Sequence, residues 1–122
     1  MSKLSIIIPL YNEEKTIIKL LQRVIEAKLP KDIQKEIIIV DDGSTDNSKS
    51  IVQNVFRTAF GRIKFKENFF FPHERNLGKG AAVRTGIKNS TGDLIIIQDA
   101  DLEYNPADYK RLLEPILRGE SK

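Results

Sequence analysis

Apolar residues gather in three short runs without polar alternation: Leu4 to Leu10 (LSIIIPL), Glu36 to Val40 (EIIIV) and Leu94 to Ile97 (LIII). Short runs this rich in isoleucine mark strands covered on both faces, so all three are expected to be central parallel strands. A fourth run, Ile63 to Phe65, alternates with Lys64 and Lys66 and predicts a half-exposed strand at a sheet edge. Between the runs the period changes to that of a helix. Ile17, Leu20, Leu21, Val24 and Ile25 recur at three- and four-residue spacing with Lys15, Lys19, Arg23 and Glu26 opposite them, predicting an amphipathic helix from about Glu13 to Ala27 that is over by Pro30. Ser44 or Thr45 is placed to cap a second helix, with Ile51, Val52, Val55, Phe56 and Phe60 as its buried stripe.

A third helix is predicted from Gly80 to Asn89, rich in small residues that allow close packing on a sheet. Asn105 followed by Pro106 reads as N-cap and first helical position of a fourth, with Tyr109, Leu112, Leu113 and Ile116 facing inward and Pro115 disturbing its last turns. Strand and helix therefore alternate four times, which calls for a Rossmann-like α/β fold: a doubly wound, mostly parallel sheet with helices on both faces. Residues 1–122 are read as one domain, with no repeat or linker. The segment Glu67 to Leu77, which contains Phe-Phe-Phe-Pro, is the least regular stretch and is expected to be a loop, its phenylalanines either core or a surface awaiting a partner.

In open α/β sheets ligands bind outside the carboxyl ends of the strands, near the point where strand order reverses. The residues that follow the strands here are Tyr11-Asn12-Glu13, Asp41-Asp42-Gly43-Ser44, the Arg75 to Gly80 loop, and Asp99-Ala100-Asp101-Leu102-Glu103. Carboxylates taken singly serve well enough as helix N-caps. Five or six converging on one edge repel one another unless a cation or hydrogen-bond donors compensate them. A hard divalent cation and the N–H edge of a nucleobase are the compensators that fit, and oxygen ligands favour Mg²⁺ or Mn²⁺. Asp99 and Asp101 can reach one ion if the chain turns at Ala100, and Glu103 can add a third oxygen or serve as a solvated capping residue.

Composition narrows the chemistry further. The absence of cysteine excludes disulfides, thiolate metal sites and cysteine nucleophiles, and the single histidine, His73, read as a loop residue, leaves no histidine triad or zinc site. Gly78-Lys79-Gly80 lacks the spacing of a phosphate-binding Walker loop or a dinucleotide fingerprint. The net charge of +3 is too small to indicate nucleic acid. It is unevenly spread, however: residues 57–88 carry eight basic and two acidic side chains, a solvated face or a surface for phosphates and anionic headgroups. No apolar run approaches the roughly 20 residues that cross a bilayer, and no secretory signal is evident, so a cytoplasmic protein, at most peripheral to the membrane, is expected.

Taken in order, Ser5-Ile-Ile-Ile-Pro9-Leu-Tyr11-Asn12-Glu13, Val40-Asp41-Asp42-Gly43-Ser44-Thr45-Asp46, Asn76-Leu-Gly78-Lys79-Gly80, Thr91-Gly92-Asp93 and Asp99-Ala-Asp101 resemble family 2 glycosyltransferases of the GT-A fold, above all the polyprenyl-phosphate (dolichol-phosphate) mannosyl- and glucosyltransferases. The resemblance implies that Pro9, Tyr11 and Glu13 line the base and ribose pocket, that an aspartate of the Asp41-Asp42 pair accepts a hydrogen bond from the base, and that Lys79 borders the nucleotide. It implies that Asp99 and Asp101 ligate the metal on the diphosphate, with Glu103 able to join. The implied reaction is inverting transfer of a sugar from a UDP- or GDP-sugar to an acceptor, in the nearest likenesses a polyprenyl phosphate at a membrane surface.

The chain stops at Lys122, shortly after the fourth helix, so a second half carrying the acceptor site and any catalytic base is expected to lie outside it. The alternative is a nucleotide-binding fragment without turnover, with self-association over the uncovered sheet. A nucleotidyltransferase would show a glycine- and arginine-rich loop after its first strand, which Tyr11-Asn12-Glu13 is not. A receiver-like regulatory domain would carry its paired aspartates after the first strand, which this chain does not.

Overall fold

The computed structural model describes residues 2–58, 68–100 and 105–117. Its elements alternate as expected: β1 (Ser2–Leu10), α1 (Ile17–Glu26), β2 (Ile33–Asp41), α2 (Ser48–Thr58), β3 (Asn68–Pro72), α3 (Lys79–Asn89), β4 (Leu94–Ile97) and α4 (Tyr109–Leu117), the last preceded by a single 3₁₀ turn at Pro106–Asp108. The four strands form one parallel sheet in the order β3-β2-β1-β4. The chain runs outward from β1 through β2 to β3 and returns to the other side of β1 for β4. The order therefore reverses between β1 and β4, and a parallel sheet opens a crevice at such a point.

One sheet face carries Leu4, Ile6, Ile8, Leu10, Ile37 and Ile39, fully buried beneath Ile17, Leu20, Leu21 and Val24 of α1, Val52 of α2, and Tyr109 and Leu113 of α4. Each fully buried isoleucine of this layer is worth about 1.5–3 kcal/mol of transfer free energy, which is why an unbroken isoleucine run specifies a covered strand. The other face carries Ile7, Ile38 and Val40 under α3. There Gly86 lets the helix settle on β1, since a Cβ at that position would collide with Cγ2 of Ile7.

Four expectations change. The edge strand next to β2 is made by the phenylalanine run itself, over Asn68–Pro72, while Ile63 to Phe65 lies outside the described residues, as does Phe60. Its alternation explains the pattern: Phe70 turns to the α2 side, 5.9 Å from the ring of Phe56, while Phe69 and Phe71 stack on the opposite face at 6.2 Å. Second, β4 is not covered on both sides. It borders the described sheet with Ile95 and Ile97 still 43% and 37% exposed, because α3 packs chiefly over β1 and β2.

Third, neither Ser44 nor Thr45 caps α2. Asp46 does that work through its Oδ1, which accepts the Ser48 N–H at 2.9 Å, while Ser44 and Thr45 bond to Asn12 instead. Fourth, Leu112 does not face inward. It is 56% exposed, since a helix starting at Tyr109 puts Tyr109 and Leu113 on the buried stripe and Leu112 off it. Asn105 does act as N-cap, accepting the Ala107 N–H at 3.0 Å with Pro106 in the first position, and Pro115 falls within α4.

Candidate functional site

The loops after β1 and β2 are bound to each other before any ligand arrives. Asn12 adopts a left-handed backbone conformation (φ 51°), and its side-chain oxygen accepts the N–H groups of Thr45 at 2.8 Å and Asp46 at 3.2 Å while its own N–H donates to the Ser44 hydroxyl at 2.9 Å. Asparagine tolerates this conformation better than most residues because its short amide bonds locally. The neighbouring N–H groups continue the seam, Glu13 to the Ser48 hydroxyl at 2.9 Å and Glu14 to Asp46 Oδ2 at 3.2 Å. Partial desolvation pushes the Asp46 carboxyl up, but hydrogen bonds from the hydroxyl and N–H of Ser48 and the N–H of Glu14 outweigh it and hold the group below the ordinary aspartate value.

A second crossing joins the β2–α2 loop to the β3–α3 loop. Gly43, with φ +70°, lies so close to the backbone of Arg75 and Asn76 that a Cβ would strike the Arg75 carbonyl carbon. Beside it Asp42, only 3% exposed, collects donors from that loop: Leu77 N–H and His73 Nδ1 on Oδ1 at 2.9 and 2.8 Å, and Gly78 N–H on Oδ2 at 2.9 Å. Asp42 also accepts Asn76 Nδ2 on its backbone carbonyl at 3.2 Å. Asp41 is wholly buried, its Oδ2 accepting Ser44 N–H at 3.1 Å and its Oδ1 without a partner among the described residues.

The third wall comes from β4. Gln98, 1% exposed, continues the β1 ladder by donating its N–H to Ile7 at 2.8 Å, and its side-chain oxygen accepts the Tyr109 hydroxyl at 2.6 Å. Burial pushes that phenol well above its ordinary pKa, so it remains a donor. The Thr16 hydroxyl lies 2.7 Å from the Ala100 carbonyl. Held on both sides, Asp99 points out at the carboxyl end of β4 and forms an ion pair with Lys79 at the start of α3.

These walls enclose a cleft of about 380 Å³ at the switch point between β1 and β4. Pro9, Tyr11, Glu13, Asp42, Lys79 and Asp99 all line it, so six of the seven residues assigned from the sequence to nucleotide contacts share one cavity. Asp41 does not; it lines a neighbouring cavity of about 370 Å³ that shares Tyr11 and Asn76 with the first. Asp101 and Glu103 lie outside the described residues. Among the described residues no three carboxylate or imidazole side chains converge closely enough to hold a metal; the carboxylates that line the cleft are Glu13, Asp42 and Asp99. Carboxylate oxygens are hard donors, of the kind that suit Mg²⁺ or Mn²⁺.

Two contributors were given no role of their own from the sequence. Asn12 was legible only as part of a motif, since its role depends on a loop 33 residues away. His73, read as a loop residue, does sit in the loop after β3, and there it bridges Asp42 to Thr85 of α3, with Nε2 2.8 Å from the threonine hydroxyl. No local periodicity could have found it, because its partners come from β2 and α3.

Comparisons of sequence and structure with known proteins match the whole fold. Residues 5–121 match the family model described as Glycosyl transferase family 2. The undecaprenyl-phosphate 4-deoxy-4-formamido-L-arabinose transferase of Proteus mirabilis is 34% identical over 118 residues, covering 97% of this chain and 35% of that protein. The chain thus spans about a third of the length of the curated relatives it matches. Among solved structures, S. aureus TarS in complex with UDP aligns with a TM-score of 0.75 at 29% identity, covering 95% of this chain and 32% of that one. The mannosyltransferase PcManGT from Pyrobaculum calidifontis, in complex with GDP-Man and Mn²⁺, aligns with a TM-score of 0.76 at 27% identity over 93% of this chain and 32% of that one.

Proposed function

The chain belongs to glycosyl transferase family 2, and from that premise we propose that residues 1–122 form one nucleotide-sugar-binding domain whose cleft takes the nucleoside diphosphate of a UDP- or GDP-sugar. The convergence of Pro9, Tyr11, Glu13, Asp42, Lys79 and Asp99 in one cavity at the strand-order reversal carries this reading. Tyr11, 44% exposed at the rim, offers a ring face for the base, and Glu13 an acceptor for ribose hydroxyls. Asp42 lines the cleft and accepts a base N–H; Asp41, enclosed and bonded to Ser44, shapes the loop.

Asp99, with Asp101 and Glu103 from outside the described residues, would hold Mg²⁺ or Mn²⁺ against the diphosphate, and bound there the ion stabilises charge on the departing nucleotide diphosphate. Lys79, ion-paired with Asp99 at the cleft, would supply a cation to the diphosphate. The reaction we propose is inverting transfer of the sugar to a polyprenyl phosphate at the cytoplasmic membrane face. The Proteus relative's name supports a polyprenyl-phosphate acceptor, and the UDP and GDP-Man complexes of the structural neighbours support a nucleotide-sugar donor. No helix among the described residues is long and apolar enough to cross a membrane.

The test is calorimetric titration of this chain with UDP and GDP, each with and without Mn²⁺. Metal-dependent binding of one nucleotide, lost in Asp99→Asn, and nucleotide binding weakened in Asp42→Asn and retained in Asp41→Asn, is the expected pattern. A folded chain that binds neither nucleotide refutes the donor-site reading, and loss of binding in Asp41→Asn with retention in Asp42→Asn moves the base acceptor to the unpaired Asp41 Oδ1.

A further inference from the structure

His73 closes a three-residue chain that the donor-site reading does not use. Its Nδ1 lies 2.8 Å from Asp42 Oδ1 and its Nε2 2.8 Å from the Thr85 hydroxyl, and its side chain is 11% exposed. A carboxylate only accepts hydrogen bonds, so Nδ1 carries a ring proton and donates to Asp42, while Nε2 meets the Thr85 hydroxyl, which can donate or accept. The ring is fixed at its base as well, because the His73 N–H donates to the Asp41 carbonyl at 2.7 Å, one step beyond the β2–β3 ladder. The histidine is thus pinned by β2 behind it and by α3 beyond it, and it presses one donor onto one oxygen of Asp42.

The consequence for Asp42 follows from counting lone pairs. Each carboxylate oxygen accepts about two hydrogen bonds. Oδ1 has both filled, by His73 and the Leu77 N–H, whereas Oδ2 receives the Gly78 N–H and no other donor among the described residues. Asp42 lines the cleft. We propose that His73 is a positioning residue for donor recognition: it saturates Asp42 Oδ1 and fixes the carboxylate plane, so that the open lobe of Oδ2 is presented to an N–H of the nucleobase. The proposal rests on the reading that the cleft takes a nucleoside diphosphate with Asp42 on its base. Without the imidazole, Oδ1 keeps only Leu77, the carboxylate can turn about its last torsion, and water competes for both oxygens.

The same contact ties the loop after β3 to the second turn of α3, the helix whose first residue, Lys79, pairs with Asp99. A merely structural histidine would loosen the whole loop and weaken base and diphosphate recognition alike, whereas a histidine that orients Asp42 affects only ligands that carry a base. The experiment exploits that difference. This chain, its His73→Leu, His73→Asn and Thr85→Val variants, and Asp42→Asn are titrated with Mn²⁺ plus UDP, Mn²⁺ plus GDP, and Mn²⁺ plus inorganic pyrophosphate. The ring tautomer of His73 is read from long-range ¹H–¹⁵N correlations.

The expected result is a loss of about tenfold in affinity for the preferred nucleotide in His73→Leu, the scale of one hydrogen bond to a charged group. Thr85→Val should lose a smaller factor. Recovery is expected in His73→Asn, whose amide returns a donor near the place of Nδ1, and pyrophosphate affinity should be unchanged throughout. Nucleotide and pyrophosphate affinities falling by the same factor, no change in either, or a ring protonated only at Nε2 would overturn the proposal. If His73→Leu does not fold, Thr85→Val and the tautomer decide it. Nucleotide affinity unchanged in Asp42→Asn would instead remove the base-acceptor reading beneath the proposal, an outcome separable from a failure at His73 alone.

Discussion

Replacing Gly43 by alanine tests whether the crossing of two loops, and not any single side chain, holds the cleft in shape. Two costs add at this position. Its backbone sits at φ +70°, where an L-residue costs about 1–2 kcal/mol. The added Cβ also meets the carbonyl carbon of Arg75 and the nitrogen of Asn76. These are backbone atoms that cannot rotate aside, so overpacking there costs a further 1–3 kcal/mol or so. The sum is about 2–5 kcal/mol, and at roughly 4 °C per kcal/mol for a domain of this size the thermal midpoint should fall by about 8–20 °C.

Gly80→Ala serves as the internal control. Gly80 lies in α3, and a Cβ there approaches only the flexible guanidinium of Arg84, at 3.3 Å. Alanine gains up to about 1 kcal/mol of helix propensity, so this variant should melt at or above the wild-type temperature. Circular-dichroism melts of both variants, with nucleotide titration well below the midpoint, check the pair. Gly43→Ala should also bind nucleotide more weakly while folded, because Asp42 and its donors at Leu77 and Gly78 flank the displaced contact. A Gly43→Ala midpoint within about 2 °C of wild type would refute the close crossing and with it the account of how the cleft is held.

Other expectations concern groups around the site. Tyr109→Phe removes the donor to the buried Gln98 side chain and should cost about 1–3 kcal/mol in urea unfolding. Glu36 is fully buried, with its Oε1 accepting from Ser5 Oγ at 3.3 Å and Thr91 N–H at 3.1 Å and its Oε2 accepting the Thr91 hydroxyl; Glu36→Ala leaves those three donors without their acceptor, at about 1 kcal/mol or more each, and should destabilise by at least about 3 kcal/mol, measured the same way. Asp46 contributes in a pH-dependent manner. Its folded-state pKa lies below the ordinary 3.8, so its stabilisation is complete above that value and is lost as the pH falls through the folded-state pKa. The stability difference between wild type and Asp46→Asn should therefore be constant near neutrality and shrink in acid, and a difference that grows on acidification would contradict the hydrogen-bond assignment.

The isoleucine runs, the helical stripe of α1 and the Asn105-Pro106 start were legible because each is dictated by local chemistry: strand burial, a 3.6-residue period, a cap. The carboxylates at the strand ends were legible for the same reason, since a parallel sheet sends every post-strand loop to one edge. Local pattern could not assign sheet position. The phenylalanine run became the strand beside β2 and β4 became a border, because strand order depends on which helix covers which pair of strands. Nor could sequence divide labour between adjacent aspartates. Asp41 and Asp42 are equivalent as letters, yet successive residues leaving a strand point to opposite sides, which sends one carboxylate toward Ser44 and the other toward His73, Leu77 and Gly78. The sequence by itself determined which residue types would meet at the edge of the sheet. Only the tertiary structure decided which oxygen each would leave open to a ligand, because a hydrogen bond is fixed by distances of a few ångströms between segments tens of residues apart.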